Sequence, residues 1–228
     1  MAIHVEPGTI VLYSDVACGW ATLALHRFYA ARAEAGLEDA VRVDHRLFLL
    51  EDVNRFPLPK DLVDNEIPVF AELAPDFGWQ RWQGDPAEWP VTTLLANEAV
   101  HAAKAQGLAA AEELDLALRR ALFVESRPVS MLHEILDVAE SCPSVDATAL
   151  REALDDGRAR GPMMRDYRAH RDDVQGSPHF FLADGSDVHN PGIELDWDGD
   201  TPSVERDDVD AAARLVRQAA WRNGTSTP

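Results

Sequence analysis

The 228-residue sequence predicts an α/β fold, a mixed sheet whose two halves are separated by a large all-helical insertion. Three patterns predict it. Strand, helix and strand signals follow one another across residues 9–49. Helical periodicity then dominates residues 90–170, and strand signals return at His179 ahead of a closing helix. The opening β-α-β run implies a right-handed parallel pair, and the β-β-α ending an antiparallel one.

Taken in order, the first element is TIVLYS, residues 9–14, a short β-rich run suited to a buried strand. After Asp15-Val16-Ala17-Cys18-Gly19-Trp20 comes an amphipathic helix in which Leu23, Leu25, Phe28 and Tyr29 recur at helical spacing, with Gly36 as its stop. In the second strand, residues 41–49, Val41, Val43 and His45 alternate with Arg42, Asp44 and Arg46. Across residues 56–84 the prolines at 57, 59, 68 and 75 break periodicity, so loops with one short helix are expected. Trp79, Trp82 and Trp89 are expected to pack a lid or seam. Pro90 suits a first helical turn, Gly107 ends that helix, and Leu114, Leu118, Ala121 and Leu122 form the stripe of the next. Ser130 is a candidate cap for the following helix, and a last helix is expected over 162–171. Residues 179–183 read as a strand, Asp184-Gly185-Ser186 as a turn, and 187–190 as an edge strand stopped by Pro191. The closing helix, 206–222, would bury Val209, Ala212, Ala213, Leu215 and Val216, and residues 223–228 are expected to be disordered.

Composition excludes several classes. A net charge of −19 argues against a nucleic-acid partner, which needs clustered Lys and Arg, and Lys is confined to Lys60 and Lys104. No apolar run approaches the ~20 residues that span a bilayer, and the start lacks a basic segment leading into an apolar one. No membrane association is therefore expected, and the expected compartment is the cytoplasm. Two cysteines, Cys18 and Cys142, do not make a disulfide scaffold. The eight histidines are scattered; His179 and His189 could meet across the final hairpin, but without a further ligand no metal site is expected.

The order β-α-β, helical stretch, β-β-α makes a thioredoxin-like sheet with an insertion. Two segments carry a resemblance: Asp15-Val16-Ala17-Cys18-Gly19-Trp20-Ala21 resembles the D-x-x-C-P-W-C motif of the DsbA-like oxidoreductases, and Gly176-Ser177-Pro178-His179-Phe180 is similar to their G-V-P-T-F segment. In particular the sequence is similar to the branch that holds FrnE-type proteins and, more distantly, to 2-hydroxychromene-2-carboxylate isomerases and kappa-class glutathione transferases. The resemblance spans about residues 9–220 and implies a thioredoxin-like domain, 1–55 plus 172–228, with a helical insertion domain, 56–171. It also implies a cis Ser177–Pro178 bond beside the sulfur. The sequence departs from the family where the motif's second cysteine is replaced by Ala21, so resolution of a mixed disulfide within the motif is lost.

Cys18 is thus the candidate nucleophile, a thiolate favoured at a helix start; an inert remnant is the alternative. Gly19, Trp20, Ser177 and Pro178 are the candidate substrate-binding residues, with Gly19 offering an additional N–H to the sulfur. The expected partner is a small thiol or a protein or peptide disulfide. The expected activity is a single-cysteine thiol–disulfide oxidoreductase whose mixed disulfide is resolved by an external thiol. No resident cofactor is expected, glutathione or another small thiol being at most a co-substrate. Two other readings stay open: a thiol-dependent isomerase or transferase, and a redox-inert binding or chaperone-like module.

Overall fold

The computed structural model describes residues 3–199 and 201–220. In chain order the elements are β1 (Thr9–Ser14), α1 (Gly19–Glu34), β2 (Arg42–Leu47), α2 (Leu50–Asn54), α3 (Lys60–Leu73), α4 (Leu94–Ala103), α5 (Leu108–Phe123), α6 (Leu132–Glu140), α7 (Ala147–Asp155), α8 (Arg160–His170), β3 (His179–Phe181), β4 (Asp187–His189), β5 (Ile193–Asp198), β6 (Thr201–Asp207) and α9 (Ala211–Ala220). Strands run in the order β2-β1-β3-β4, with β1 parallel to β2 and antiparallel to β3, and β4 at the edge. Because alternate side chains face opposite sides of a sheet, Ile10, Leu12 and Phe180 pack with Leu25 and Phe28 of α1 and Leu215 and Val216 of α9. Val11 and Tyr13 point the other way, towards Phe48 and Val174.

The stretch expected to be loops with one short helix holds α3, a fourteen-residue helix with Pro68 inside it. A mid-helix proline leaves the carbonyl four residues earlier without its donor; here Arg81 Nε donates to that Asp64 oxygen at 3.1 Å. The apolar stripe Val63, Ile67 and Phe70 supplies the burial that keeps the helix intact. The helix expected at Pro90 starts instead at Leu94, and Ser130 does not cap α6, whose N-cap is Met131. The hairpin β5–β6 was not anticipated. Its alternating Ile193, Leu195 and Val204 pack onto the cluster of the helical insert, while its other face is acidic. Val209 is 66% exposed because α9 begins only at Ala211. Residues 223–228 lie outside the described residues, as do 221 and 222 of the expected helix. Trp79, Trp82 and Trp89 are all buried within the insert, Trp82 edge-on to Trp89 at 5.2 Å. Among the described residues no helix is long and apolar enough to cross a membrane.

The insert is tied to the sheet through a buried ion pair. Arg119 of α5 is 0% exposed and bidentate to Asp115, one turn away, at 2.7 and 3.1 Å. Its remaining N–H groups donate to Ser14 Oγ at 3.0 Å, the Asp15 carbonyl at 3.0 Å and Thr22 Oγ1 at 3.1 Å. One guanidinium thereby joins the end of β1, the loop after it and the first turn of α1. A second contact is steric. Phe70 of α3 lies so close to Gly19 that a Cβ there would stand 2.2 Å from its ring.

Two outcomes follow from these contacts. Arg119→Ala strands the Asp115 charge in the interior and is expected to lower the unfolding free energy by about 3–5 kcal/mol in urea titration, whereas Arg119→Met with Asp115→Leu costs much less. Gly19→Ala is expected to cost about 1–3 kcal/mol by overpacking. Adding Phe70→Leu should recover part of that loss, with a coupling of about 1 kcal/mol or more in the double-mutant cycle; additive losses would deny the contact.

Candidate active site at Cys18

The loop between β1 and α1 is built on Asp15, whose buried carboxylate takes four donors. Oδ1 accepts from Ala17 N at 3.0 Å, Asn97 Nδ2 at 3.0 Å and the Thr93 hydroxyl, and Oδ2 accepts from Leu50 N at 3.0 Å. A carboxylate that accepts backbone and side-chain N–H groups in this way fixes a tight loop, and here it also draws α4 and α2 to the motif. The loop delivers Cys18 to the N-cap position of α1, with its Sγ accepting from Ala21 N at 3.4 Å. No hydrogen bond from Gly19 N to the sulfur is found; Gly19 serves the site by giving the Phe70 ring its place.

The second half of the site comes from the other end of the chain. The Ser177–Pro178 peptide bond is cis, and the Cys18 thiol donates to the Ser177 carbonyl at 3.1 Å. Ser177 Oγ accepts from Asp15 N at 3.2 Å, so the two segments are stitched at two points. Ahead of the proline, a Cβ at Gly176 would stand 2.5 Å from His189 Nε2, so this backbone runs tight against β4. His179, directly after Pro178, is fully committed: its Nδ1 accepts from Gln175 N at 3.1 Å, leaving Nε2 to donate to Asp187 at 2.8 Å. His179 and His189 do face each other across β3 and β4, with rings 5.9 Å apart. Among the described residues no group of three or more metal-ligating side chains is found.

Cys18, Gly19, Trp20, Ser177 and Pro178 are therefore brought together, but their environment differs from expectation. Cys18 is only 6% exposed, and burial pushes its thiol up to about 11, against the smaller lowering by its hydrogen bonding with Ser177 and by the Ala21 N–H. The resting group is a protonated thiol that donates to a carbonyl. Trp20, expected to bind substrate, is 8% exposed, and its indole N–H is spent on Glu66 Oε1 at 2.8 Å. Cys142 is buried and free, donating to Val138 O at 3.3 Å within its own helical segment.

Sequence reasoning missed Arg119, Asp115, Asn97, Thr93, Glu66 and Phe70. A signal existed for three of them. Asp115 and Arg119 share the apolar stripe of Leu118 and Leu122, and Glu66 falls between Val63 and Phe70 on the buried face of α3. Charged residues at core positions of an amphipathic helix are expected to have buried partners.

The family model of the DSBA-like thioredoxin domain matches residues 9–201. No curated protein matches the chain by sequence. Among solved structures the fold is similar to a probable DsbA oxidoreductase from Streptomyces coelicolor, at 20% identity over 96% of this chain and 93% of that one, TM-score 0.65. It is similar also to the cytosolic disulfide reductase DsbM from Pseudomonas aeruginosa, at 19% identity over 79% and 89% of the two chains, TM-score 0.59. A 2-hydroxychromene-2-carboxylate isomerase aligns at 16% identity over 79% and 87%, TM-score 0.57. The motif loop with its facing cis-proline segment, and a family match extending over most of the sequence, make this chain a member of the DSBA-like thioredoxin domain family.

Proposed function

We propose that the chain is a single-cysteine thiol–disulfide oxidoreductase of the cytoplasm, acting on small-molecule or peptide disulfides. The observation that carries this reading is the placement of the Cys18 sulfur at the start of α1, 3.1 Å from the Ser177 carbonyl beside the cis-proline. An extended substrate laid along the Ser177–Pro178 backbone would take over that carbonyl and present its own sulfur to Cys18. The similar reductase from Pseudomonas aeruginosa is named cytosolic and was also solved with GSH, which supports both the compartment and a small thiol as co-substrate.

The exchange balances in two steps. The Cys18 thiolate, its proton released to solvent, attacks one sulfur of R–S–S–R′, forming Cys18–S–S–R and expelling R′S⁻. An external thiolate then attacks the R sulfur, forming a new disulfide and returning Cys18 as the leaving group. Ala21 cannot perform the second step, so turnover depends on the external thiol concentration.

The protonated resting state of Cys18 favours one second reading, a thiol-dependent isomerase or transferase. There a bound small thiol supplies the reacting sulfur and Cys18 serves only to line the site. The isomerase fold neighbour supports this reading.

Incubation with an aromatic disulfide is expected to give a mixed disulfide on Cys18, detected by intact mass and peptide mapping and absent in Cys18→Ser. Because burial moves the thiol to about 11, trapping should still accelerate above pH 9, where an ordinary thiol near 8.5 has levelled off. No adduct at any pH would end the oxidoreductase reading and leave the isomerase one. Ala21→Cys is expected to gain an intramolecular disulfide to Cys18 and turnover that no longer scales with external thiol.

A further inference from the structure

The buried face of α3 carries Val63, Glu66, Ile67 and Phe70, an apolar stripe with one carboxyl set into it. Glu66 is 8% exposed. Its Oε1 holds the Trp20 indole at 2.8 Å, and one turn further on Phe70 meets the Trp20 ring edge-on at 4.7 Å and fills the space over Gly19. The carboxyl is therefore fixed against Trp20, two residues after Cys18, while Phe70 of the same face covers Gly19, and a negative charge on Glu66 raises the Cys18 thiol.

The charged groups around it are otherwise engaged. On α3 itself Lys60 pairs with Asp64. On α1, Arg27 is bidentate to Asp207 of β6 and also reaches the Leu73 carbonyl, while His26 pairs with Asp76 just beyond α3. Glu205 of β6 is exposed. Arg119, beneath the motif, is committed to Asp115, although its charge still lowers the Cys18 thiol slightly. Among the described residues no ion pair reaches Glu66. Burial without a cation pushes its carboxyl up to about 7, with only the indole N–H pulling the other way.

We propose that Glu66 is a positioning residue for Cys18, anchoring the Trp20 indole beside the motif and, when ionised, holding the neighbouring thiol in its protonated form. The proposal rests on the reading of Cys18 as the nucleophile and adds a control to it. A carboxylate buried on the face that covers the motif disfavours a further negative charge at the nearby sulfur. Raising the pH removes the Glu66 proton first. From then on each Cys18 thiolate forms against an adjacent charge, so the gain in reactivity with pH is blunted above neutrality. A protonated Glu66 imposes no such restraint.

The test is the rate of Cys18 alkylation by iodoacetamide in the full chain, read by peptide mapping from pH 5.5 to 10 in wild type and Glu66→Gln. Glutamine keeps a carbonyl oxygen for the Trp20 N–H but carries no charge. The two rates should coincide below pH 6 and separate above pH 8, with the variant about three- to tenfold faster there. A role in packing alone would shift the rate at every pH and leave no such divergence. Should the variant not fold, the wild-type profile decides: its logarithm should lag below unit slope near pH 7, where Glu66 ionises. Superimposable or parallel profiles, or a wild-type slope with no lag, would overturn the proposal while leaving Cys18 a working nucleophile. A Cys18 that reacts at no pH in either protein would instead remove the oxidoreductase reading on which the proposal stands.

Discussion

Everything at the site depends on the buried Arg119–Asp115 pair. The loop that presents Cys18 is short, and its carbonyls at Ser14, Asp15 and Cys18 already accept the backbone N–H groups of Phe48, Cys18 and Thr22, so Arg119 binds this frame together from below. A buried polar group without a partner costs about 1–3 kcal/mol. Arg119 takes the Asp15 carbonyl and the Ser14 and Thr22 hydroxyls, and Asp115 neutralises its charge with both oxygens. A lysine could not replace it, because only the planar fork reaches these acceptors at once. The helical insert is thus part of the site's foundation: the motif residues Val16, Ala17, Cys18, Trp20 and Ala21 share one apolar cluster with α3, α4 and α5.

That foundation explains the state of the sulfur. A helix N-terminus favours an anion by about 0.3–1 kcal/mol, and up to ~2 kcal/mol in partly buried settings. Against this, burial that carries the thiol to about 11 opposes the thiolate by roughly 3 kcal/mol. Desolvation wins. The position of Cys18 at the helix start still matters, because the Ala21 N–H is already aimed at the sulfur and costs nothing to reorganise when charge develops.

Much of the sheet was legible because strand periodicity survives in short segments. The alternation of Val41, Val43 and His45 fixed the buried face of β2, and Pro191 marked the edge strand β4. The motif Asp15 to Ala21 and the distant Gly176-Ser177-Pro178 could be paired only through a family resemblance, since nothing local in either segment points to the other. The failures share a cause. Pro68 hid α3 because a proline rule considers the helix alone, whereas Arg81 supplied the missing donor from outside it. The hairpin β5–β6 was masked by its acids, although Ile193, Leu195 and Trp197 alternate correctly. The burial of Trp20 was invisible because it is set by Glu66 and Phe70, residues that sequence spacing does not link to the motif.

These last residues give the two departures from the family pattern a common physical sense. At the motif's second position the family's proline would carry a Cβ where the Phe70 ring now lies, so Gly19 and Phe70 are compatible with each other and not with proline. At the fourth position Ala21 is fully buried, and a side chain there no longer has to exchange with a substrate. A motif relieved of its resolving thiol has no need to expose its first turn. The insert helix α3 is then free to close over that turn with an aromatic ring and a carboxyl. What the proposed chemistry requires it to preserve is one approach to sulfur, along the Ser177 carbonyl, because the hydrogen bond that the Cys18 thiol donates there is one that an incoming backbone could replace.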